Sequence, residues 1–457
     1  MGLIKVYQRE SELYYPRELA DSVHFAQSMD GVTWETWNLN YGILFAKGIL
    51  REDNTIAPRS ARNPRICKVD GQYYIMAECV DITGTRIEEK QYLLWSTYDF
   101  VQFTEHGMRM LSEFGLSYED GTKIIEVKDS ELEVARKRWI MSSVEPVDVP
   151  ICVGFADPVL FVWKDSWYML ATNDNNGNIG LFLKKAKKKE ELFAKDAATF
   201  CILPYDEERG FIQTFWAPEF HTIGGEPYIL FAVGGKEWAP QCHMMKLKTG
   251  GILERAGDWE NPVRIQRMDG SYLAEGAISL DMTYLKVKEK SYLAWSYREH
   301  IGSPLDSGSM VYIASIDEKE PWRLTSEPVL LTRPLYGWEN VEGTINNEGP
   351  YPLQIGTDVY LTYSGGAACG YSYAVGYLKI SEEQDLLDAS QWEKQKTPFL
   401  HTGCVKGEIG PGHISFFYDE ERLFVAYHIQ EREKYNTRCA TFHEMDLSAD
   451  GFLRLKN

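Results

Sequence analysis

Ala156–Asp174 reads ADPVLFVWKDSWYMLATND: an acidic head, a short apolar run, a Lys-Asp turn and an aromatic-rich second run. Short runs of this kind, broken by polar turn residues, are strand–turn–strand units rather than helices. The unit recurs. Glu219 heads EFHTIGGEPYILFAVGG, Asp281 heads DMTYLKVKEKSYLAWSYRE, Glu348 heads EGPYPLQIGTDVYLTYSGG and His413 heads HISFFYDEERLFVAYHI. Successive heads are 62, 62, 67 and 65 residues apart. The aromatic centres of the second runs (Tyr168, Tyr228, Tyr292, Tyr360, Phe424) follow their heads by 9 to 12 residues. Five near-equal β units of this size predict an all-β chain whose main body, residues 150–457, is a five-bladed β-propeller with four strands to a blade. In that arrangement the heads all lie on innermost strands, so distant positions converge on one axial pocket.

A further copy lies upstream, where Asn63 heads NPRICKVDGQYYIMAECVD and Tyr74 sits 11 residues on. Around it FAQSMDGVTWE (Phe25–Glu35) and LLWSTYDFVQFTE (Leu93–Glu105) echo one another, while Gly107–Val149 is charged and irregular and reads as a connection. Residues 1–149 are therefore expected to form a smaller β module resembling incomplete blades. Counting the Asn63 unit into the ring gives a six-bladed alternative. Helical periodicity is scarce; its best candidates, Lys187–Ala194 and Glu382–Ala389, are both short.

Composition narrows the partners. The 457 residues carry 48 Lys+Arg against 67 Asp+Glu, a formal charge of −19. Nucleic acids and anionic membranes are bound through clustered Lys/Arg, so neither is an expected partner. The run Lys184–Lys189 (KKAKKK) is too isolated to change that and is expected on a solvated surface. The 27 Tyr, 20 Phe and 13 Trp fit strands and, at some positions, the stacking of sugar rings. Eight scattered cysteines without a CxxC read as reduced, buried side chains. MGLIKVYQRE is not a basic-then-apolar leader, and no apolar run approaches the roughly 18 residues of a membrane span. The expectation is a cytoplasmic protein, with a secreted one whose signal has been removed as the alternative.

Three heads carry the chemistry. Asp157, Asp281 and Glu348 would meet in one buried pocket, where repulsion and burial force their ionisation states apart. That separation suits hydrolysis of a glycosidic bond, in which one carboxylate activates water and another protonates the leaving oxygen. Glu275-Gly276 and Glu342-Gly343 repeat the dipeptide at Glu348, but each lies six residues ahead of the next head, and only Glu348 is followed by Pro350.

At these positions the sequence resembles glycoside hydrolase family 43. The matches run in the family's order: Asp157-Pro158, Trp216-Ala217-Pro218-Glu219, Asp281, Asn347-Glu348-Gly349-Pro350 and Gly412-His413. The resemblance spans residues 150 to about 445 and implies a five-bladed propeller of inverting enzymes acting on arabinose- and xylose-containing glycans. It makes Asp157 the general base, Asp281 the orienting residue that raises its neighbour's pKa, and Glu348 the general acid. His413 matches a histidine that lines a central calcium or water site, so a structural calcium is implied near the axis, with no cofactor required for the chemistry. Asn63-Pro64 departs from the pattern. An amide cannot act as a base, so the upstream module is expected to be non-catalytic.

Substrate contacts are expected from Trp216, as a stacking platform, and from Asn173, Ser296 and Arg298 near the ends of second strands. Glu219 reads as architectural, and Tyr427 and His428 as packing. The resulting expectation is an inverting enzyme that releases L-arabinofuranose from pentose-containing oligosaccharides or polysaccharides. A β-xylosidase, an endo-arabinanase and a catalytically silent sugar-binding propeller are the alternatives.

Overall fold

The computed structural model describes residues 1–456 apart from 342, 432, 433, 435 and 447–450, so Glu342 lies outside the described residues. The architecture is all-β. Packing divides the chain into two units, residues 1–143 with 335–344, and residues 144–334 with 345–457.

In the second unit five antiparallel sheets follow one another along the chain. Sheet I is Phe155–Trp163, Ser166–Asn173, Leu181–Ala186 and Ala198–Leu203. Sheet II is Gln213–Ile223, Glu226–Gly234, Gln241–Lys246 and Val263–Arg264. Sheet III is Ile278–Val287, Lys290–Arg298, Met310–Ile316 and Val329–Thr332; sheet IV is Asn347–Ile355, Asp358–Gly365, Ala374–Ser381 and Glu393–Lys394. Sheet V joins Gly412–Asp419, Arg422–Gln430 and Arg438–Asp446 to Cys152–Val153, which precedes sheet I in the chain, and adds Arg454–Leu455. The first strands of the five sheets pack side by side in cyclic order, the fifth against the first.

The apolar cores lie between neighbouring sheets. Leu170, Phe215 and Phe231 pack sheet I on sheet II, and Leu230, Met282 and Trp295 pack II on III. Leu160, Phe417, Phe424 and Phe442 close V on I. Burying each such side chain is worth about 1.5–3 kcal/mol. The second-strand aromatics Tyr168, Tyr228, Tyr292, Tyr360 and Phe424 are all buried in these seams, so they are structural rather than sugar platforms.

Each first strand carries a β-bulge at one register position, where the ladder skips between Ala156 and Val159, Trp216 and Glu219, Leu280 and Thr283, Glu348 and Tyr351, and Gly412 and Ser415. The bulged residues Asp157, Ala217, Asp281, Gly349 and His413 all have left-handed φ, between 45° and 58°. This corrects the register read from sequence. The repeat heads of sheets II and IV are Ala217 and Gly349, not Glu219 and Glu348, and the aromatic then follows every head by 11 residues. The scattered offsets of the sequence reading were the visible sign of the error.

Two local expectations also change. Lys187–Ala194 and Glu382–Ala389 are turns with one 3-10 turn each, Glu190–Phe193 and Ala389–Gln391. The lysine run is not wholly solvated: Lys184 is buried, donating to the Leu192 carbonyl at 3.1 Å, and Lys189 is buried on Asp419 at 2.6 Å. The run faces the seam between sheets I and V, which hides its stems.

The first unit contains two four-stranded sheets among the described residues. One orders Ile124–Val127, Gly2–Tyr7, His24–Ser28 and Glu35–Thr36; the other is Ser60–Val69, Gln72–Val80, Tyr92–Thr97 and Thr104–Arg109. The two echoed segments make the same turn, in which the carboxylate of Asp30 or Asp99 accepts backbone N–H groups two and three residues on. The expected connection holds an 11-residue helix, Asp129–Trp139. Its apolar stripe is only Leu132, Ala135 and Trp139, buried against Ile4, Phe25 and Phe100, and charged residues around it masked the period. The second sheet repeats the bulge at Asn63, with φ of 50°.

Candidate active site

The bulge is what aims the site. A left-handed residue in a strand turns its side chain and its N–H out of the ladder, and Asn, Asp and Gly tolerate that conformation best. The freed N–H finds the same kind of partner on the preceding sheet. Ala217 donates to Thr172 Oγ1 at 2.8 Å, Gly349 to Ser296 Oγ at 3.1 Å, His413 to Ser364 Oγ at 2.8 Å and Asp157 to His428 Nδ1 at 3.3 Å. Each acceptor stands 15 residues after its own sheet's bulge. Two of them also donate to the carboxylate on that bulge: Thr172 to Asp157 Oδ2 at 2.6 Å and Ser296 to Asp281 Oδ2 at 3.0 Å.

Asp157, Asp281, Glu348 and His413 line one cavity of about 700 Å³. Asp157 is 4% exposed, and cationic or imidazole groups surround its Oδ1: His428 Nδ1 at 3.1 Å, His413 Nδ1 at 3.3 Å and Arg438 Nη1 at 3.4 Å. Burial alone would raise this carboxyl, but His413, Arg438 and His428 together hold it well below the usual carboxylate range. Asp281 accepts from Ser296 and from the Gly349 N–H at 3.1 Å, yet burial and the nearby Asp157 charge push it up to about 6. Glu348 accepts from the Tyr373 hydroxyl at 2.9 Å. Burial first, and then the Asp281 charge, raise it to about 7.

Two glycines admit these neighbours. A Cβ on Gly412 would lie 2.1 Å from the Tyr373 ring, and one on Gly349 would lie 3.0 Å from His413 Nδ1. The Gly412-His413 and Glu348-Gly349 dipeptides are thus packing requirements of the site itself.

The other expected contacts divide. Trp216 and Arg298 line the cavity; Arg298 is fixed by a bidentate pair with Asp306, both bonds 2.8 Å, and reaches Asn346 Oδ1 at 3.0 Å. Ser296 is buried beneath Asp281 and holds that carboxylate rather than facing the cavity. Asn173 is likewise buried and does not line it. Glu219 is buried against His221 at 2.6 Å, in keeping with a structural part. Tyr427 packs with Glu408, but His428 is not mere packing, since it abuts Asp157.

Arg438, Tyr373 and Asn346 escaped the sequence reading. Arg438 lies on a third strand, outside the repeat heads, and Tyr373 follows a loop with no register of its own. The spacing of 15 would have singled out His428 alongside Thr172, Ser296 and Ser364.

His413 does not match the calcium expectation. Its Nδ1 faces Asp157, and Asp157, Asp281, Glu348 and Glu219 raise the buried imidazole above its ordinary value, against the effect of burial. Calcium takes about six to eight oxygen ligands, whereas among the described residues no three His, Cys, Asp or Glu side chains gather to hold a metal. No chemical step is routed through an ion.

Residues 147–453 match the sequence profile of glycosyl hydrolases family 43. An extracellular exo-α-(1→5)-L-arabinofuranosidase of Streptomyces avermitilis is 31% identical over 273 residues, covering 60% of this chain and 53% of the relative. An enzyme of the same description from Streptomyces chartreusis is 30% identical over 206 residues, covering 45% of this chain and 59% of its own. The chain therefore spans between half and three fifths of the length of these relatives. The crystal structure of an α-L-arabinofuranosidase from Lactobacillus brevis superposes with a TM-score of 0.58 at 27% identity, over 68% of this chain and 96% of that one. With the profile matched across most of its length, the chain belongs to glycosyl hydrolases family 43.

Proposed function

We propose that the second unit is a five-bladed β-propeller carrying an inverting, exo-acting α-L-arabinofuranosidase. The observation that carries this reading is the split among buried carboxylates: Asp157 is kept anionic, while Glu348 keeps its proton toward neutral pH. Inverting hydrolysis needs that pair at the same pH. Asp157 takes a proton from the attacking water as the water oxygen bonds to the anomeric carbon. Glu348 gives its proton to the departing glycosidic oxygen as that carbon–oxygen bond breaks. Asp281, held by Ser296 and the Gly349 N–H, keeps negative charge beside Glu348 and so keeps its proton on.

The cyclic packing of the five first strands supports the propeller. The named activities of the relatives support arabinofuranose as the sugar released, from arabinose-containing glycans. Both Streptomyces relatives are described as extracellular, which favours action outside the cell over the cytoplasmic expectation. Among the described residues no helix is long and apolar enough to cross a membrane. Residues 1–143 are read as non-catalytic, because their bulge carries Asn63 where a base would stand.

The test is a screen of aryl α-L-arabinofuranoside, aryl β-D-xyloside and linear arabinan, with NMR of the first-formed anomer. Rapid release of β-L-arabinofuranose from the aryl arabinofuranoside is expected. Preference for the xyloside, or initial retention of configuration, would overturn the reading.

A further inference from the structure

Every charged or imidazole group that touches Asp157 comes from the opposite end of the catalytic unit. His413, His428 and Arg438 all belong to sheet V, whereas Asp157 belongs to sheet I. Of the three, Arg438 alone cannot shed its charge, and its guanidinium is a planar fork of fixed geometry. That fork is fully engaged. Nε and Nη2 hold the two oxygens of Asp174 at 2.9 and 2.8 Å, which leaves Nη1 directed at Asp157 Oδ1, 3.4 Å away.

The backbone fixes the same pair. Gly154 donates its N–H to the Arg438 carbonyl at 2.8 Å and accepts from the Asp174 N–H at 2.9 Å. Gly154 has φ of 75°, and a Cβ there would lie 2.2 Å from Asn175, so the residue that ties the two together tolerates no side chain. Arg438 and Asp174 both line the cavity, and Arg438 is 12% exposed.

We propose that Arg438 is a positioning residue for the water-activating carboxylate, with Asp174 as its anchor, so that closure of sheet V on sheet I sets the aim of Asp157. The proposal rests on Asp157 being the base. Bidentate pairing fixes the plane of the guanidinium, and that plane fixes Oδ1 of Asp157, while Thr172 fixes Oδ2. The carboxylate is thereby held from both oxygens in one rotamer. A lysine at 438 reaches one of the two aspartates but not both.

The experiment is chemical rescue of Arg438→Gly, assayed on the aryl glycoside that the wild type hydrolyses best. Expected are a fall in kcat of about 100-fold, KM within about threefold of wild type, and recovery of about tenfold or more on adding guanidinium at tens of millimolar. Asp157→Asn should show no such recovery. A wild-type kcat in Arg438→Gly, or a loss indifferent to guanidinium in a protein with an unchanged melting curve, would overturn the proposal. If Arg438→Gly does not fold, Arg438→Lys and Asp174→Asn decide the matter: about tenfold lower kcat in both supports it, and wild-type kcat in either refutes it. Failure of the arabinofuranosidase reading is seen separately, in the wild type's choice of glycoside.

Discussion

Asp157 and Glu348 line one cavity, yet their surroundings are opposite in kind. Asp157 faces two imidazoles and a guanidinium; Glu348 faces a carboxylate and a neutral phenol. Both are buried, so desolvation penalises the charged form of each to a similar extent, and the neighbours decide the outcome. One burial term with two sets of partners yields a base and an acid from the same functional group. The sheets supply these partners unequally. Asp157 receives its cations from sheet V, and Glu348 receives its raising charge from Asp281 on sheet III.

The comparison breaks most completely when either partner is neutralised. Asp157→Asn and Glu348→Gln should each lower kcat on an aryl arabinofuranoside by about 1,000-fold or more, with circular dichroism unchanged. A loss under tenfold in either would end the base and acid assignments. Next in size, Asp281→Asn should cost about 10- to 100-fold in kcat. It should also move the basic limb of the pH–kcat profile to lower pH, since removing a negative neighbour lowers the pKa of Glu348. A basic limb that moves up, or stays, would detach Asp281 from Glu348.

In the wild type the basic limb should fall near pH 7, where Glu348 loses its proton, and the acidic limb should lie below the ordinary carboxylate range. Tyr373→Phe removes a hydrogen bond that favours the charged form, so it should move the basic limb upward, with kcat changed by less than about tenfold. Stability gives an independent reading. A carboxyl whose folded pKa is raised costs stability once the pH exceeds its unfolded value near 4.5, and the cost grows until the folded pKa near 7 is passed. Glu348→Gln should therefore melt a few degrees above wild type at pH 8 and level with it at pH 4. Equal melting at both values would contradict the raised pKa. The smallest expected effect is at Asn63. Asn63→Asp should leave kcat within about twofold of wild type and restore nothing to Asp157→Asn, because Asn63 is exposed and its partner is the Glu78 carboxylate at 2.6 Å, not a cation.

The repeat was legible because it is written in large apolar residues. Tyr168, Tyr228, Tyr292, Tyr360 and Phe424 mark each second strand, and Asp157 and Asp281 stand at a fixed distance ahead of them. Glu219 and Glu348 were taken as heads because they are the nearest carboxylates, although the bulges fall on a neutral alanine and a glycine that attract no notice in a sequence. Glu348 still reaches the cavity, from the residue before its bulge. The cationic surround of Asp157 was not legible. Arg438 lies 281 positions away on a strand without a motif, and only the closing of sheet V on sheet I brings the two together. The helix at Asp129–Trp139 was hidden for a different reason, having just three apolar residues to show its period.

The bulges have a genetic consequence. Because the backbone at Asp157, Asp281 and Asn63 is already turned into the left-handed region, each is a socket whose best occupants are aspartate, asparagine and glycine. Asparagine and aspartate are one nucleotide apart, so a sheet can gain or lose its carboxylate in a single mutation without disturbing the strand that carries it. The second sheet of the first unit holds the amide form at Asn63, and sheets I and III hold the acid form. In an ancestral array of such sheets, catalytic and silent copies would interconvert by point mutation, with selection acting on what surrounds the socket rather than on the socket itself.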